Sequence, residues 1–281
     1  MLQDDRDFFP RYEAVLLMRA TLDPAPLRGL EGRIDAPTMI ALNARVELDG
    51  MSFAEAAKTF VDGAAGAARP RQRQSFLQRL FAPDFGRLLG QHVLLVFGSL
   101  ALAVGVGVPL GIAAWRWPRS ASLLLGATAV LQTIPSLALL AFLIALVGGI
   151  GLVPAVLALF LYALLPIVRN THTGLSGVPK GLAQAALSLG MAPAQALRHV
   201  QLPLAAPTLM AGVKTAAVIN VGTATMAAFI GAGGFGERIV AGLAVNDSAT
   251  MLAGALPAAV LALLVQGAFD WLERRSSSRV G

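Results

Sequence analysis

Five long apolar segments follow residue 90, and they restrict the possible folds more than any other feature of the chain. They lie near residues 91–114, 121–147, 152–173, 205–231 and 250–272. Crossing a hydrocarbon core of about 30 Å takes roughly twenty helical residues, and each segment reaches that length. Hydrophobic residues make up 56% of the 281-residue chain, which exceeds the usual share in a soluble domain. We therefore expect an all-α polytopic membrane protein with about five transmembrane helices.

Acidic residues divide the chain into two unlike parts. Twelve of the sixteen Asp and Glu residues lie at or before Asp84, and none occurs from residue 85 to residue 236. Residues 1–64 are charged and lack the apolar run of a signal sequence, while GAAGAARP at 63–70 is typical of a linker. The predicted organisation is a soluble segment at 1–64, a linker at 65–87 and a transmembrane domain at 88–275.

The second apolar segment is interrupted by QTIPS, residues 132–136. Pro135 removes a backbone donor, so the helix must kink or break there. Such a break persists at membrane depth only where protein or a water-lined path satisfies the freed carbonyls. Two interpretations remain: an element that lines a pore, or a proline kink buried by neighbouring helices.

Basic residues predict the orientation, because short cytoplasmic loops carry an excess of Lys and Arg. With five spans, one side collects Arg116, Arg119, Arg169, Lys180, Arg198, Arg274, Arg275 and Arg279. The opposite loops, at 148–151 and 232–249, carry only Arg238. This pattern predicts an outside N-terminus and a cytoplasmic C-terminus. Five arginines before the first span disagree with it: Arg69, Arg71, Arg73, Arg79 and Arg87.

A polar-edged segment, QAALSLGMAPAQALRHVQLP, separates the third and fourth apolar runs at residues 184–203. Pro179 suits the first turn of a helix, and Gly190 can end that helix in a left-handed conformation. Pro193 can open a second short helix, and we expect Pro203 to stop it. The pattern predicts a helix, a tight turn and a second helix.

This segment resembles the EAA loop of inner-membrane subunits of ABC importers, written EAA, three residues, Gly, nine residues, Ile, one residue, Leu-Pro. The spacing matches throughout, although the Glu of the signature is Gln here. The matching residues are Gln184, Ala185, Ala186, Gly190, Val200, Leu202 and Pro203. The resemblance implies that residues 180–203 dock into a cleft of the ATP-hydrolysing subunit. The alternative is an alanine-rich connector between two spans.

Two further stretches are similar to the osmoprotectant branch of these permeases: QTIPSLALL at 132–140 and VINVGTATMAAFIGAGGFG at 218–236. The resemblance covers about residues 88–272 and implies a type I importer fold in a bacterial inner membrane. It implies that this permease pairs with a second copy or a paralogue, an ATPase subunit and a substrate-binding protein. Together they would move solutes such as glycine betaine, choline or carnitine inward.

The polar residues of these two stretches, with the break-forming proline, are the candidate translocation path: Gln132, Thr133, Pro135, Ser136, Asn220, Thr223 and Thr225. The family resemblance implies that ATP is bound by the partner subunit, so we expect no cofactor on this chain. The three lysines lie outside any GxxxxGK[ST] motif, and no nucleic-acid recognition module is present. We therefore expect neither an enzyme nor a nucleic-acid-binding protein.

Two other transport functions remain as alternatives. One is a permease of another ABC importer branch, carrying amino acids or other small solutes. The other is an ion-coupled secondary transporter. Ion coupling usually recruits intramembrane carboxylates, and their absence from 85 to 236 favours an external drive by ATP.

Four basic residues in or near the spans require separate interpretation. Lys214 falls roughly 12 Å into the fourth span at 1.5 Å per residue, where it either has a function or snorkels to the cytoplasmic interface. We expect His92, His172 and His199 to lie at interfaces or in a loop, and not to converge on a metal or catalytic site. Cysteine is absent, so thiolate ligands are excluded.

The N-terminal part is similar to the C-terminal end of an osmoprotectant-binding protein, on DFFPRYEAVLLMR and MIALNARVELDGMSFAEAAKTFV. Tyr12 is either a remnant of that family's aromatic cage or an ordinary packing residue. Our hypothesis is that the chain is a truncated or vestigial fusion of a binding protein with a permease.

Overall fold

A computed structural model describes residues 23, 25, 32, 34–47, 51, 53–61, 75–244 and 247–277. Within these residues it contains helices and no strands. The chain divides into two compact units, Met1–Arg73 and Gln74–Gly281. Outside the described residues lie Tyr12, the linker residues 65–74, and three of the arginines that disagree with the predicted orientation, Arg69, Arg71 and Arg73. The predicted domain boundaries at 64 and 87 stay predictions.

Two helices form most of the described part of the first unit, α1 (Ala36–Glu47) and α2 (Phe53–Val61). Asp35 caps α1, because its Oδ1 accepts the N–H of Thr38 at 2.9 Å. This hydrogen bonding with Thr38 holds the pKa of the Asp35 carboxyl below its ordinary value. Arg45 of α1 donates to the hydroxyl of Thr59 in α2 at 3.0 Å, which joins the two helices.

Long apolar helices dominate the second unit, which begins with the short α3 (Phe76–Leu80). The long ones are α4 (Phe85–Arg116), α7 (Leu152–Ser176), a helical stretch at 193–230 and α12 (Ser248–Ser277). Between α4 and α7 lie α5 (Pro118–Thr133) and α6 (Ser136–Val147), and the chain bends by 103° between them. By length and composition, four helices in the described part could cross a membrane, or five if α5 and α6 form one broken span.

Two glycines let α4 approach α7 closely. A Cβ on Gly107 would lie 2.8 Å from Cγ2 of Ile167, and one on Gly111 would lie 2.4 Å from Cβ of Thr171. This Gly-xxx-Gly spacing is the pattern that brings membrane helices backbone to backbone. Because the contacts advance in the same direction along both helices, α4 and α7 run parallel.

Parallel packing of α4 and α7 requires the chain to return between them. At 1.5 Å per residue, the register of the contacts places the start of α7 about 36 Å back from the end of α4. The bent pair α5 and α6 makes that return. It therefore counts as one crossing, in agreement with the five spans expected from the sequence.

The fourth crossing is continuously helical, which corrects the prediction that Pro203 stops a short helix. It comprises α9 (Pro193–Ala196), a π turn (Leu197–Gln201), α10 (Leu202–Thr223) and a 3₁₀ segment (Ala224–Ile230). In the π turn the N–H of Leu202 donates to the carbonyl of Leu197, five residues back. Pro203 then falls in the first turn of α10, where a missing N–H is tolerated.

The core of the second unit lies where α4, α6, α7 and α10 meet. Its buried side chains include Leu95, Leu140, Leu159, Ile167 and Val221. Large apolar side chains on α5, α6 and α12 are exposed instead, among them Leu123, Phe142, Leu146 and Leu263. Helices that are apolar on both buried and exposed faces are typical of membrane spans.

Candidate functional site: the coupling segment and the broken span

The coupling segment, defined as residues 180–203, begins with α8 (Lys180–Ser188) and turns at Gly190. Gly190 has a φ of +88°, a left-handed conformation that glycine adopts without strain. Its N–H donates to the carbonyl of Leu187 at 3.0 Å, and the N–H of Met191 donates to that of Ala186 at 3.2 Å. These two bonds form a Schellman motif, which ends a helix by satisfying its last carbonyls. The expected tight turn is present.

Large apolar side chains of the coupling segment point outward. Leu182, Leu187 and Leu189 are 47%, 46% and 82% exposed, whereas the small Ala186 and Ala196 are buried. The remaining residues of the EAA-like signature are exposed at Gln184, Ala185, Gly190 and Pro203 and half-buried at Val200 and Leu202. The buried alanines lie where α8 packs on α9 and the π turn, and the leucines are left exposed.

At the broken span, Pro166 and the break between α5 and α6 each leave one backbone carbonyl without a helical donor, and side chains across the gap satisfy both. Pro166 of α7 has no N–H for the carbonyl of Tyr162, four residues earlier; Nε2 of Gln132 donates to that oxygen at 2.9 Å. The break before Pro135 leaves the carbonyl of Ile134, which accepts the hydroxyl of Tyr162. Protein atoms therefore satisfy the break, as the apolar environment requires.

A small cavity lies beside the break, between α6, α7 and the end of the fourth crossing. Its polar lining comes from Ser136, Tyr162 and Thr223, and its apolar lining includes Leu159 and Met226. The empty volume is about 220 Å³, including space open to solvent. Tyr162 supplies the aromatic ring of this lining.

The predicted path residues do not all reach this cavity. Asn220 is buried between α10 and α4, where its Nδ2 donates to the hydroxyl of Ser99 at 2.9 Å. The hydroxyls of Thr133 and Thr225 bond to carbonyls of their own helical segments. Pro135 lies at the break and is exposed. The cavity brings together Ser136 and Thr223 and adds Tyr162, which sequence reasoning left out of the path. Gln132 contacts the carbonyl of Tyr162 and does not line the cavity.

His92 is fully buried in α4, which corrects the expectation that it lies at an interface. Its Nε2 lies 3.0 Å from the carbonyl oxygen of Val221, and its Nδ1 accepts the N–H of Phe235 at 3.4 Å. With Nδ1 as acceptor, Nε2 carries the proton, so the ring is neutral. His92 joins α4, the fourth crossing and the glycine-rich loop at 231–235. The sequence of that loop, GAGGF, could have indicated this contact, because clustered glycines permit a close backbone approach.

Lys214 pairs with two carboxylates of α12, Asp270 and Glu273, the second at 3.3 Å. Its side chain is 25% exposed. The positive charge of Lys214 on α10 is therefore balanced by acidic residues of α12. The two interpretations of Lys214, a functional role or snorkelling to the interface, stay predictions.

Three ion pairs connect the start of the second unit with α11 (Gly236–Ala244) and the residue before α12. They are Arg79 with Asp247, Arg238 with Asp84 at 2.7 Å, and Arg87 with Glu237 at 2.8 Å. Arg238 is buried and also donates to the backbone carbonyls of Leu80 and Ala253. Arg79 and Arg87, two of the arginines that disagree with the predicted orientation, thus have acidic partners at their own end of the molecule.

The electrostatics of this end follow from these bonds. The hydrogen bond from Arg238 holds the pKa of the Asp84 carboxyl below its ordinary value, although burial opposes the shift. At Asp247, burial alone would raise the pKa, but hydrogen bonds from Thr250 and Arg79 outweigh it and lower the pKa. Both carboxylates are therefore held ionised by their partners.

Residues 103–278 match the family described as the binding-protein-dependent transport system inner membrane component. The choline transport system permease protein OpuBB of Bacillus subtilis (strain 168) is 43% identical over 185 residues, which cover 66% of this chain and 85% of that protein. The osmoprotectant import permease protein OsmW of Salmonella typhimurium is 46% identical over 189 residues, covering 66% of this chain and 86% of that protein.

Solved structures of the same architecture are similar to this chain. A chain of the inward-facing MetNI methionine ABC transporter is 25% identical, with a TM-score of 0.62 over 68% of this chain and 95% of that chain. A chain of an amino acid ABC transporter is 21% identical, with a TM-score of 0.58 over 72% and 98%, a likeness of fold alone. The fold is that of a type I ABC importer permease.

The family match includes both the coupling segment and the broken span. Membership implies an ATP-hydrolysing subunit and a substrate-binding protein as partners, and it replaces the alternative of an ion-coupled secondary transporter. Members transport and do not catalyse a chemical reaction. This chain belongs to the inner-membrane permeases of binding-protein-dependent ABC import systems and is a multi-pass membrane protein.

Proposed function

We propose that this permease passes quaternary-ammonium osmoprotectants, such as glycine betaine, choline or carnitine, into the cell. The observation that supports it is the identity of 40–46% to permeases named for choline, carnitine, glycine betaine or osmoprotectant transport. These solutes share a cationic quaternary ammonium group. Its natural partners in proteins are aromatic faces and carboxylates.

Within the proposed assembly, the coupling segment docks into the ATPase subunit. The exposed leucines and the fixed turn at Gly190 support this role, because they offer an apolar surface of defined shape. Gln184 contributes a hydrogen-bonding group in place of the charge of the family signature. The other proposed partners are a second permease copy or paralogue and the binding protein.

The proposed orientation places the coupling segment and the C-terminus in the cytoplasm and the start of α4 outside. The cytoplasmic end then carries Arg116, Arg119, Lys180, Arg198, Arg274 and Arg275. Among the described residues of the opposite end, Arg79, Arg87 and Arg238 are all in ion pairs. Pairing with acidic residues gives these arginines a structural role that agrees with an outer location.

The solute path in this proposal runs past Gln132, Ser136 and Thr223 at the broken span, and the permease holds its solute weakly. The small cavity and its single aromatic ring support weak binding, because tight capture of a quaternary ammonium needs several aromatic faces, each worth about 2 kcal/mol when desolvated. Specificity would then lie in the binding protein. The N-terminal segment at 1–64 stays our proposal for a remnant of such a protein.

Transport by the assembled system tests the function. The permease, reconstituted in proteoliposomes with its ATPase subunit and binding protein, is expected to accumulate radiolabelled glycine betaine or choline when ATP is present. Uptake of methionine without uptake of either osmoprotectant would favour the amino acid branch. Isothermal titration of the permease alone with the same solutes is expected to give no dissociation constant below the millimolar range, and a micromolar value would contradict weak binding.

A further inference from the structure

The helical conformation is interrupted at the joint between α5 and α6. Ile134 and Pro135 are extended, with ψ of 125° and 138°, and the chain bends by 103° between the two helices. Pro135 fixes its own φ and favours an extended Ile134, but the remaining backbone rotations leave the angle between the helices free. Contacts with neighbouring elements therefore help to hold that angle.

Two side-chain hydrogen bonds join this hinge to α7, and they are reciprocal. Gln132, on the α5 side, donates to the carbonyl of Tyr162, and Tyr162 donates through its hydroxyl to the carbonyl of Ile134. The first bond satisfies the carbonyl that Pro166 leaves without a donor, and the second satisfies a carbonyl at the break between α5 and α6. Because both carbonyls lie in an apolar region, they favour the closed arrangement in which they are paired.

The same tyrosine forms part of the cavity wall. Its ring lines the cavity with Ser136, the first residue of α6, and with Thr223 at the end of α10. A rotation of α6 about the hinge would therefore change the cavity and break the hydroxyl bond together. Tyr162 connects the shape of the hinge with the opening of the cavity.

We propose that Gln132 and Tyr162 are positioning residues that latch the broken span to α7 and keep the cavity closed until the transport cycle opens it. This inference rests on the proposed path at the broken span. The two bonds break when solute is admitted and re-form behind it. Solute access, and not only stability, then depends on the hydroxyl of Tyr162.

Accessibility of an introduced cysteine tests the latch, since the chain has no native cysteine. Ser136→Cys and, separately, Thr223→Cys would report on the cavity in the permease–ATPase complex in proteoliposomes. The probe is a membrane-impermeant methanethiosulfonate that carries a quaternary ammonium group. In the otherwise unchanged protein, labelling is expected to be slow without ATP and faster during ATP hydrolysis with binding protein.

Removing either latch bond is expected to raise the labelling rate without ATP by about tenfold. Tyr162→Phe deletes the hydroxyl and keeps the ring, and Gln132→Leu deletes the donor. Thr128→Val is the matched control, because its hydroxyl bonds only to carbonyls within α5. Elution by size-exclusion chromatography checks assembly, and the Gln132 variant carries the test if the Tyr162 variant fails to assemble.

The outcomes separate the latch from the path. In one outcome, the introduced cysteines react at labelling rates that, in Tyr162→Phe and Gln132→Leu, stay within twofold of the rate in Thr128→Val. That result would overturn the latch and leave the path standing. Reporters that never react, even during ATP hydrolysis, would overturn the path and the latch with it. Fast labelling in both latch variants, without ATP, supports the proposal.

Discussion

Arg238 is a buried charge that makes four hydrogen bonds. Its guanidinium contacts both oxygens of Asp84 and two backbone carbonyls. Only a planar fork of several donors reaches partners in such different directions. Arg87 also contacts both oxygens of its partner Glu237, but its side chain is 51% exposed. The two pairs share a two-oxygen geometry and differ in their surroundings.

We predict that Arg238→Lys lowers the stability of the second unit much more than Arg87→Lys does. A lysine at 238 keeps the charge but leaves several acceptors unpaired in a buried place, at a cost of roughly 3 kcal/mol. The exposed pair of Arg87 is screened by solvent and contributes little to stability. Thermal unfolding of the purified proteins in detergent, followed by tryptophan fluorescence, measures both. Equal effects would show that burial does not govern this pair.

At the scale of elements, the close packing of α4 on α7 depends on two small residues. We predict that Gly111→Ala destabilises the protein by about 1–3 kcal/mol, because the new methyl group would overlap Thr171. Gly105→Ala is the control on the same helix, since nothing lies within 4 Å of its added methyl; alanine there favours the helix by up to ~1 kcal/mol. Unfolding midpoints of both variants test the difference. A harmless Gly111→Ala would contradict the close approach.

The turn of the coupling segment yields another prediction at this scale. Gly190→Val is expected to reduce transport while ATP hydrolysis continues, because a branched residue at positive φ strains the turn by about 1–2 kcal/mol. A methyl at 190 would meet no neighbour within 4 Å, so the strain is conformational. Gly190→Asn, which tolerates that conformation, and Gly181→Val, within α8, serve as controls. Normal transport by Gly190→Val would argue against the docking role.

The sequence predicted the elements well where a local pattern determines them. The lengths of the spans followed from apolar runs, and the turn at Gly190 followed from one glycine between two short helices. The prediction that Pro203 ends a helix was wrong because the preceding π turn, five residues long, accommodates the proline. No local pattern signals that turn. The bonds of Tyr162 and His92 could not be predicted, since their partners lie far away in the chain and depend on helix packing.

For the whole molecule, orientation is the property that a single experiment checks most directly. We predict that Ser248→Cys, at the start of α12, is labelled by an impermeant thiol reagent in intact cells, while Ser276→Cys, at its other end, is shielded. The reason is the basic excess at the end that holds the coupling segment. Permeabilised cells should label both positions, which controls for burial. The reverse pattern in intact cells would place the coupling segment outside and contradict the topology.

The three ion pairs that join the start of the second unit to α11 and Asp247 also determine when this part of the molecule can be completed during synthesis. Each joins a residue between 79 and 87 to one between 237 and 247. At about 5–20 residues per second, the partners at 237–247 emerge from the ribosome roughly 8–30 s after residues 79–87. During that interval Asp84 and Arg87 lack their ion-pair partners. The first span therefore enters the membrane well before its starting end can be fixed to the rest of the protein.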